Sequence, residues 1–165
     1  MQAINPRLRS LLQQKTVEYQ AISHSRDYTA QETAADTHTA GREFAKTVVL
    51  LVDGHYAMAV LPAHHKVELK KLREELDARS VRLAREDEIR VIFADCETGA
   101  EPPFGNLYNM PVYLSTAVKS DGSITFNAGT HDDVIRMRYA DYIALAKPQI
   151  FEFTIPMGTS HISYH

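Results

Sequence analysis

The run Thr47-Val-Val-Leu-Leu-Val52, then Asp53-Gly54, then His55 to Leu61, constrains this chain more than any other stretch. A β-branched apolar run, a two-residue turn tolerant of positive φ, and a returning apolar run predict an antiparallel β-hairpin. Pro62 closes the return strand, since proline has no N–H to give to a ladder. A hairpin among scattered helices argues for α+β with a mixed or antiparallel sheet, against a doubly wound parallel one.

The rest of the chain reads consistently with that frame. Asn5 before Pro6 is a helix start, and Ile4, Leu8, Leu11 and Leu12 give it an apolar stripe. Val17 to Ser23 reads as extended. Thr29-Ala-Gln-Glu32 has capping-box spacing and predicts a short helix to about Asp36. Leu69, Leu72 and Leu76 stand at helical spacing, Val81 to Leu83 as a short strand, and Glu86 to Phe93 as a helix with acids in its first turn. Val112 to Leu114 and Ala117 to Lys119 are expected to be extended, Asp121-Gly122 a turn, and Ser123 to Asn127 the return strand. Val134 to Arg138 alternates like a strand, and Ala140 to Ala146 is a last helix ending before Pro148. The tail from Phe151 is expected to be either loosely held or used at a subunit contact. With no repeat or linker-like run, residues 1–165 read as one domain, its core at about 8–148 and a C-terminal tail at 149–165.

Composition excludes several classes. Net charge is −3, so bulk electrostatics do not hold nucleic acid. Lys66, Lys70, Lys71 and Arg73, and then Arg79, Arg82 and Arg85, form local basic runs. Glu68, Glu74, Glu75 and Asp77 interleave with them, which reads either as a solvated helix face or as a strip touching a phosphate backbone. No window approaches the roughly 18 apolar residues of a membrane span, and no basic-then-apolar leader opens the chain. The single cysteine, Cys96, fits a reducing compartment, so a cytoplasmic location is expected.

Eight histidines raise the question of a metal. His64 and His65 are adjacent and do not share one face, whereas His161 and His165 have i, i+4 spacing without a helical pattern. No second cysteine or acid completes a zinc set, so no metal site is expected. Asp95 and Glu97 flank Cys96 and would raise its pKa, the wrong direction for a nucleophile. Three elements remain. Gly99-Ala-Glu-Pro-Pro-Phe-Gly105 brackets a rigid proline pair with glycines, either as a plain turn or as a loop presenting amides to an anion. Lys46 stands at the mouth of the apolar strand, as a solubilising charge or a ligand for an anion. Phe126-Asn-Ala-Gly-Thr-His-Asp-Asp133 ends a strand in small residues and then presents His131.

In this order, Phe44-Ala-Lys-Thr-Val-Val-Leu50, Gly99 to Gly105 and Phe126 to His131 resemble the YbaK/prolyl-tRNA synthetase-associated editing domain family, over roughly Leu8 to Pro148. The resemblance implies an α+β fold whose mixed sheet is partly barrel-like. It implies an aminoacyl-tRNA deacylase that clears mischarged tRNA in trans, with a small ester such as alanyl, seryl or cysteinyl. Lys46 matches the family's functional lysine, expected to hold the terminal adenosine or its phosphate. Gly99 to Pro103 matches the Gly-x-x-x-Pro loop, whose amides are expected to face the ester carbonyl. Ala100, Glu101, Pro103, Phe104, Gly105 and Gly129 are then substrate contacts, and His131 lines the pocket or positions water. Ala30 and Thr33 match the pocket-wall helix and are expected to set side-chain size. Hydrolysis would use a substrate hydroxyl and bound water, with no covalent enzyme intermediate and no cofactor. The implied partners are the acceptor end of mischarged tRNA and an aminoacyl-tRNA synthetase as recruiter, not DNA or a membrane. Two rival readings stay open: a non-catalytic module binding a small molecule or protein in the same pocket, and a metal-using hydrolase.

Overall fold

The computed structural model describes residues 4–23, 44–118 and 121–158. Helix α1 (Pro6–Gln14) begins where Asn5 caps it: Asn5 Oδ1 accepts the Arg7 and Leu8 amides at 3.0 and 3.2 Å. Strand β1 (Tyr19–Ser23) follows. The hairpin forms as β2 (Ala45–Val52) and β3 (His55–Pro62), with Val52 opposite His55. Asp53 and Gly54 both have positive φ, 49° and 83°, the requirement of a two-residue turn that follows the strand twist. Asp53 Oδ1 also accepts the Arg79 and Ser80 amides at 2.9 Å, tying the turn to the chain just ahead of Val81.

Next come β4 (His65–Val67), α2 (Leu69–Glu75), β5 (Val81–Leu83) and α3 (Glu86–Ile92). A single 3-10 turn at Gly105–Leu107 precedes β6 (Val112–Ser115), β7 (Ser123–Asn127), β8 (Asp133–Arg138), α4 (Tyr139–Ala146), β9 (Gln149–Phe151) and β10 (Thr154–Pro156). The strands make a five-stranded sheet ordered β5-β2-β3-β6-β9, a three-stranded sheet β1-β8-β7 and a pair β10-β4. Strand β6 runs parallel to both β3 and β9 while β2 is antiparallel to its neighbours, so the large sheet is mixed, as expected. One isolated parallel bridge, Phe44 to Thr125, joins the two larger sheets. Among the described residues closure goes no further, and there is no complete barrel.

The period-two alternation of β2 divides the interior. Ala45 and Val49 pack with Leu8, Leu12, Phe104, Phe126 and Tyr142 on one face. Val48, Leu50 and Val52 pack with Leu72 and Phe153 on the other. No helix among the described residues is long and apolar enough to cross a membrane.

The structure departs from the sequence expectations in three places. Ala117 and Val118 form a turn, not a strand: Ser115 Oγ accepts the Ala117 amide at 3.1 Å and bends the chain at once. Strand β7 therefore hairpins with β8, Asn127 opposite Val134, and not with a strand before it. The tail, expected to be loosely held or a subunit contact, instead supplies β9 to the large sheet and β10 to β4, with Phe153 fully buried. The helix expected over Thr29 to Asp36 lies outside the described residues.

Candidate functional site

The loop after α3 and the turn between β7 and β8 are sewn together by backbone. The Glu97 amide donates to Gly129 O at 2.8 Å, and the Gly129 amide donates to Ala100 O at 2.9 Å. The Glu97 carboxylate accepts the His131 amide at 2.7 Å. Gly129 has φ +105°, and a Cβ there would meet Asn5 Cβ at 2.9 Å; the Asn5 amide donates to Ala128 O. The cap of α1 is thus also the floor of this turn.

His131 and Gly99 meet. Gly99 has φ +91°, and a Cβ on it would lie 3.3 Å from His131 Cε1, so the ring rests against the bare Cα. His131 Nε2 is 2.9 Å from Thr98 O. A carbonyl oxygen only accepts, so Nε2 carries the hydrogen and the neutral ring keeps its lone pair on Nδ1. The partly exposed imidazole is therefore held in the tautomer that can take a proton through Nδ1.

Two amides of Gly99 to Pro103 are engaged within the loop. Gly99 N–H donates to Glu101 Oε2 at 2.9 Å and Ala100 N–H to Glu97 O at 3.0 Å. Glu101 is only 4% exposed. Burial pushes its carboxyl above the ordinary glutamate range; the amide bonds and the nearby His131 pull the other way. Ala100, Pro103, Phe104 and Gly105 are buried. Pro103 O accepts the Tyr142 hydroxyl at 2.7 Å, and the Phe104 ring packs edge-on against Phe126 and Tyr142 at 5.5 and 5.2 Å. A Cβ on Gly105 would run into the Met110 carbonyl oxygen. These residues give the loop its shape from within.

Lys46 stands apart. It lies opposite Leu61 on β2, one position beyond Ala45, which packs with Phe104. By alternation its side chain leaves on the other face, where Nζ comes 4.0 Å from Met157 Sδ. The lysine is half-buried, and burial lowers its pKa. Among the described residues no hydrogen bond or ion pair joins it to the 97–105 loop; two positions before it, Phe44 bridges to Thr125 and packs with Val134. Ala30 and Thr33, like His161 and His165, lie outside the described residues.

Beside the loop, Cys96 is locked in place. Its thiol is pushed up to about 12, by burial first and by the charges of Asp95 and Glu101, and lies 3.3 Å from the Tyr108 hydroxyl. Tyr108 also donates to Asp95, which Asn5 Nδ2 reaches at 2.9 Å. A structural thiol is the result. His65 Nδ1 is bonded to Thr154 Oγ1 at 3.0 Å, and no group of three His, Cys, Asp or Glu among the described residues is placed to hold a metal ion. In the basic runs Lys71 pairs with Glu75, Arg82 with Glu88 and Arg85 with Asp87, as on a solvated face. Sequence reasoning missed Asn5, Glu97, Thr98 and Tyr142 as the parts that hold the loop. Their partners are 34 or more positions away for Asn5–Asp95, Glu97–His131 and Tyr142–Pro103, and 33 for Thr98–His131, beyond any local pattern.

A family model described as the aminoacyl-tRNA editing domain matches residues 24–145. The chain is 26% identical over 152 residues to the multifunctional Ser/Thr-tRNA deacylase ProXp-y of Escherichia coli strain K12, across 89% of this chain and 90% of that protein. Among solved structures it resembles a candidate trans-editing enzyme for prolyl-tRNA synthetase, with TM-score 0.80 and 18% identity over 94% of this chain and 99% of that one. The hypothetical protein APE2540 gives TM-score 0.78 and 16% identity over 90% of this chain and 99% of that one. At those identities the two structures speak for the fold.

Proposed function

We propose that this chain, which belongs to the aminoacyl-tRNA editing domain family, hydrolyses the ester of mischarged tRNA in trans, with seryl first among small side chains. The E. coli relative is named a Ser/Thr-tRNA deacylase, which supports that order. The observation that carries the mechanism is the His131 ring lying against Gly99 with Nε2 committed to the Thr98 carbonyl. Nδ1 takes a proton from water as the water oxygen bonds to the ester carbon. The carbon–oxygen bond to the ribose breaks, and the proton passes from Nδ1 to the leaving ribose oxygen. Free amino acid and tRNA result, with no covalent enzyme intermediate.

The loop and turn carry Glu97, Glu101, Asp132 and Asp133, a neighbourhood that repels phosphate. Lys46, on the other face of β2, takes the acceptor-end phosphate, a task suited to a point charge on a flexible stem. Ala30 and Thr33 remain the proposed wall that sets side-chain size. A synthetase that recruits the chain would supply the tRNA affinity its acidic balance lacks.

Purified protein incubated with tRNAs mischarged with alanine, serine, cysteine and threonine tests the reading. Seryl-tRNA is expected to lose its ester fastest. Failure to hydrolyse any ester would contradict it, and binding of an aminoacyl-adenosine analogue without turnover would favour the non-catalytic module instead.

A further inference from the structure

A carboxylate sealed in an interior is costly unless something there uses its charge. Glu101 is such a group, and its oxygen on the Gly99 amide could equally be the amide oxygen of a glutamine. What glutamine lacks is the charge. The Glu101 carboxylate and the His131 ring meet at Gly99, one 2.9 Å from its nitrogen, the other 3.3 Å from where its Cβ would be. The other titratable groups around the pair have their own places. Glu97 accepts the His131 amide, the Cys96 thiol is held neutral by burial, and Asp133 is bonded to the Thr130 and Ser23 hydroxyls. Asp132 follows His131 on the same turn.

We propose that Glu101 is a positioning residue, kept as a carboxylate so that it steadies the His131 imidazolium formed when Nδ1 takes the water proton. This rests on the deacylase reading for its purpose, though the pairing of the two side chains is testable without it. The charge stays on Glu101 throughout, and the proton moves only from water to Nδ1 to ribose oxygen. Steadying a developing cation in a half-shielded site lowers the barrier without a covalent role.

Two measurements decide it. In Glu101→Gln the Gly99 hydrogen bond has an acceptor and the loop keeps its shape, so KM is expected to hold while kcat on seryl-tRNA falls about ten-fold or more. Separately, carboxyl-carbon NMR follows the Glu101 titration in the parent and in His131→Gln. Losing the imidazolium is expected to move the Glu101 midpoint up by roughly half a pH unit or more. A wild-type kcat in a folded Glu101→Gln, or a Glu101 midpoint unmoved by His131→Gln, overturns the proposal. If the parent hydrolyses no ester, the deacylase reading fails and the titration still decides the pairing. If Glu101→Gln does not fold, the titration decides as well.

Discussion

The loop–turn unit and the Lys46 corner at the start of β2 are built in opposite ways. In the first, Gly99 to Gly105 is bound from within by Glu97, Glu101, Gly129 and Tyr142, over the Phe104–Phe126–Tyr142 ring cluster. In the second, a half-buried cation has a methionine sulfur at 4.0 Å. The first is rigid scaffold that presents one imidazole. The second is a cation with no ion-pair partner among the described residues. In the loop, the Glu101 carboxylate takes the Gly99 N–H and the Glu97 carbonyl takes the Ala100 N–H.

That contrast can be broken by substitution, and the largest effect belongs to the scaffold. Phe104→Ala is expected to lose about 3–5 kcal/mol of folding stability, because a fully buried ring is removed from the centre of an aromatic cluster. Urea unfolding measures it, and a loss below about 1 kcal/mol would mean the loop is not anchored there. Gly129→Ala comes next, at about 1–3 kcal/mol, since φ +105° disfavours a side chain and the new Cβ presses on Asn5. A stability unchanged in this variant would break the claim that the α1 cap and the turn are one unit.

Smaller effects separate the scaffold's buried acid from a partly buried, ion-paired one. Burial holds the Glu101 carboxyl above its unfolded value, so its contribution is present below the ordinary glutamate range and is lost as pH rises through the raised value. Glu88 is the reverse. The Arg82 guanidinium, the Arg85 amide and the Tyr56 hydroxyl hold it down to about 2, so its contribution is present above the ordinary range and lost as pH falls toward that value. Stability measured against pH should lose the first slope in Glu101→Gln and the second in Glu88→Gln. Identical pH profiles for the two variants would erase the distinction.

Much of this was legible where the signal is local. The hairpin announced itself because Asp53-Gly54 supplies positive φ next to two apolar runs, and Asn5-Pro6 marked a helix start because its cap lies two and three residues away. Strand β9 was not legible: three residues become a strand only because β6 lies alongside in parallel. The alternation of Ala45 and Lys46 was visible in the sequence. Which of the two faces packs with Phe104 and which with Phe153 is a tertiary fact. His131 stood out as a residue type, but its tautomer depends on a carbonyl 33 positions earlier.

The most direct test of the account is the rate of seryl-tRNA hydrolysis by Lys46→Ala beside the parent, with thermal unfolding of both. Lys46 is partly exposed and outside the scaffold, so unfolding is expected to agree within about 0.5 kcal/mol. Loss of the acceptor-end contact is expected to cut kcat/KM about 100-fold, on the order of 2.7 kcal/mol of transition-state binding. A Lys46→Ala protein that folds normally and hydrolyses seryl-tRNA at the parent rate would contradict the account.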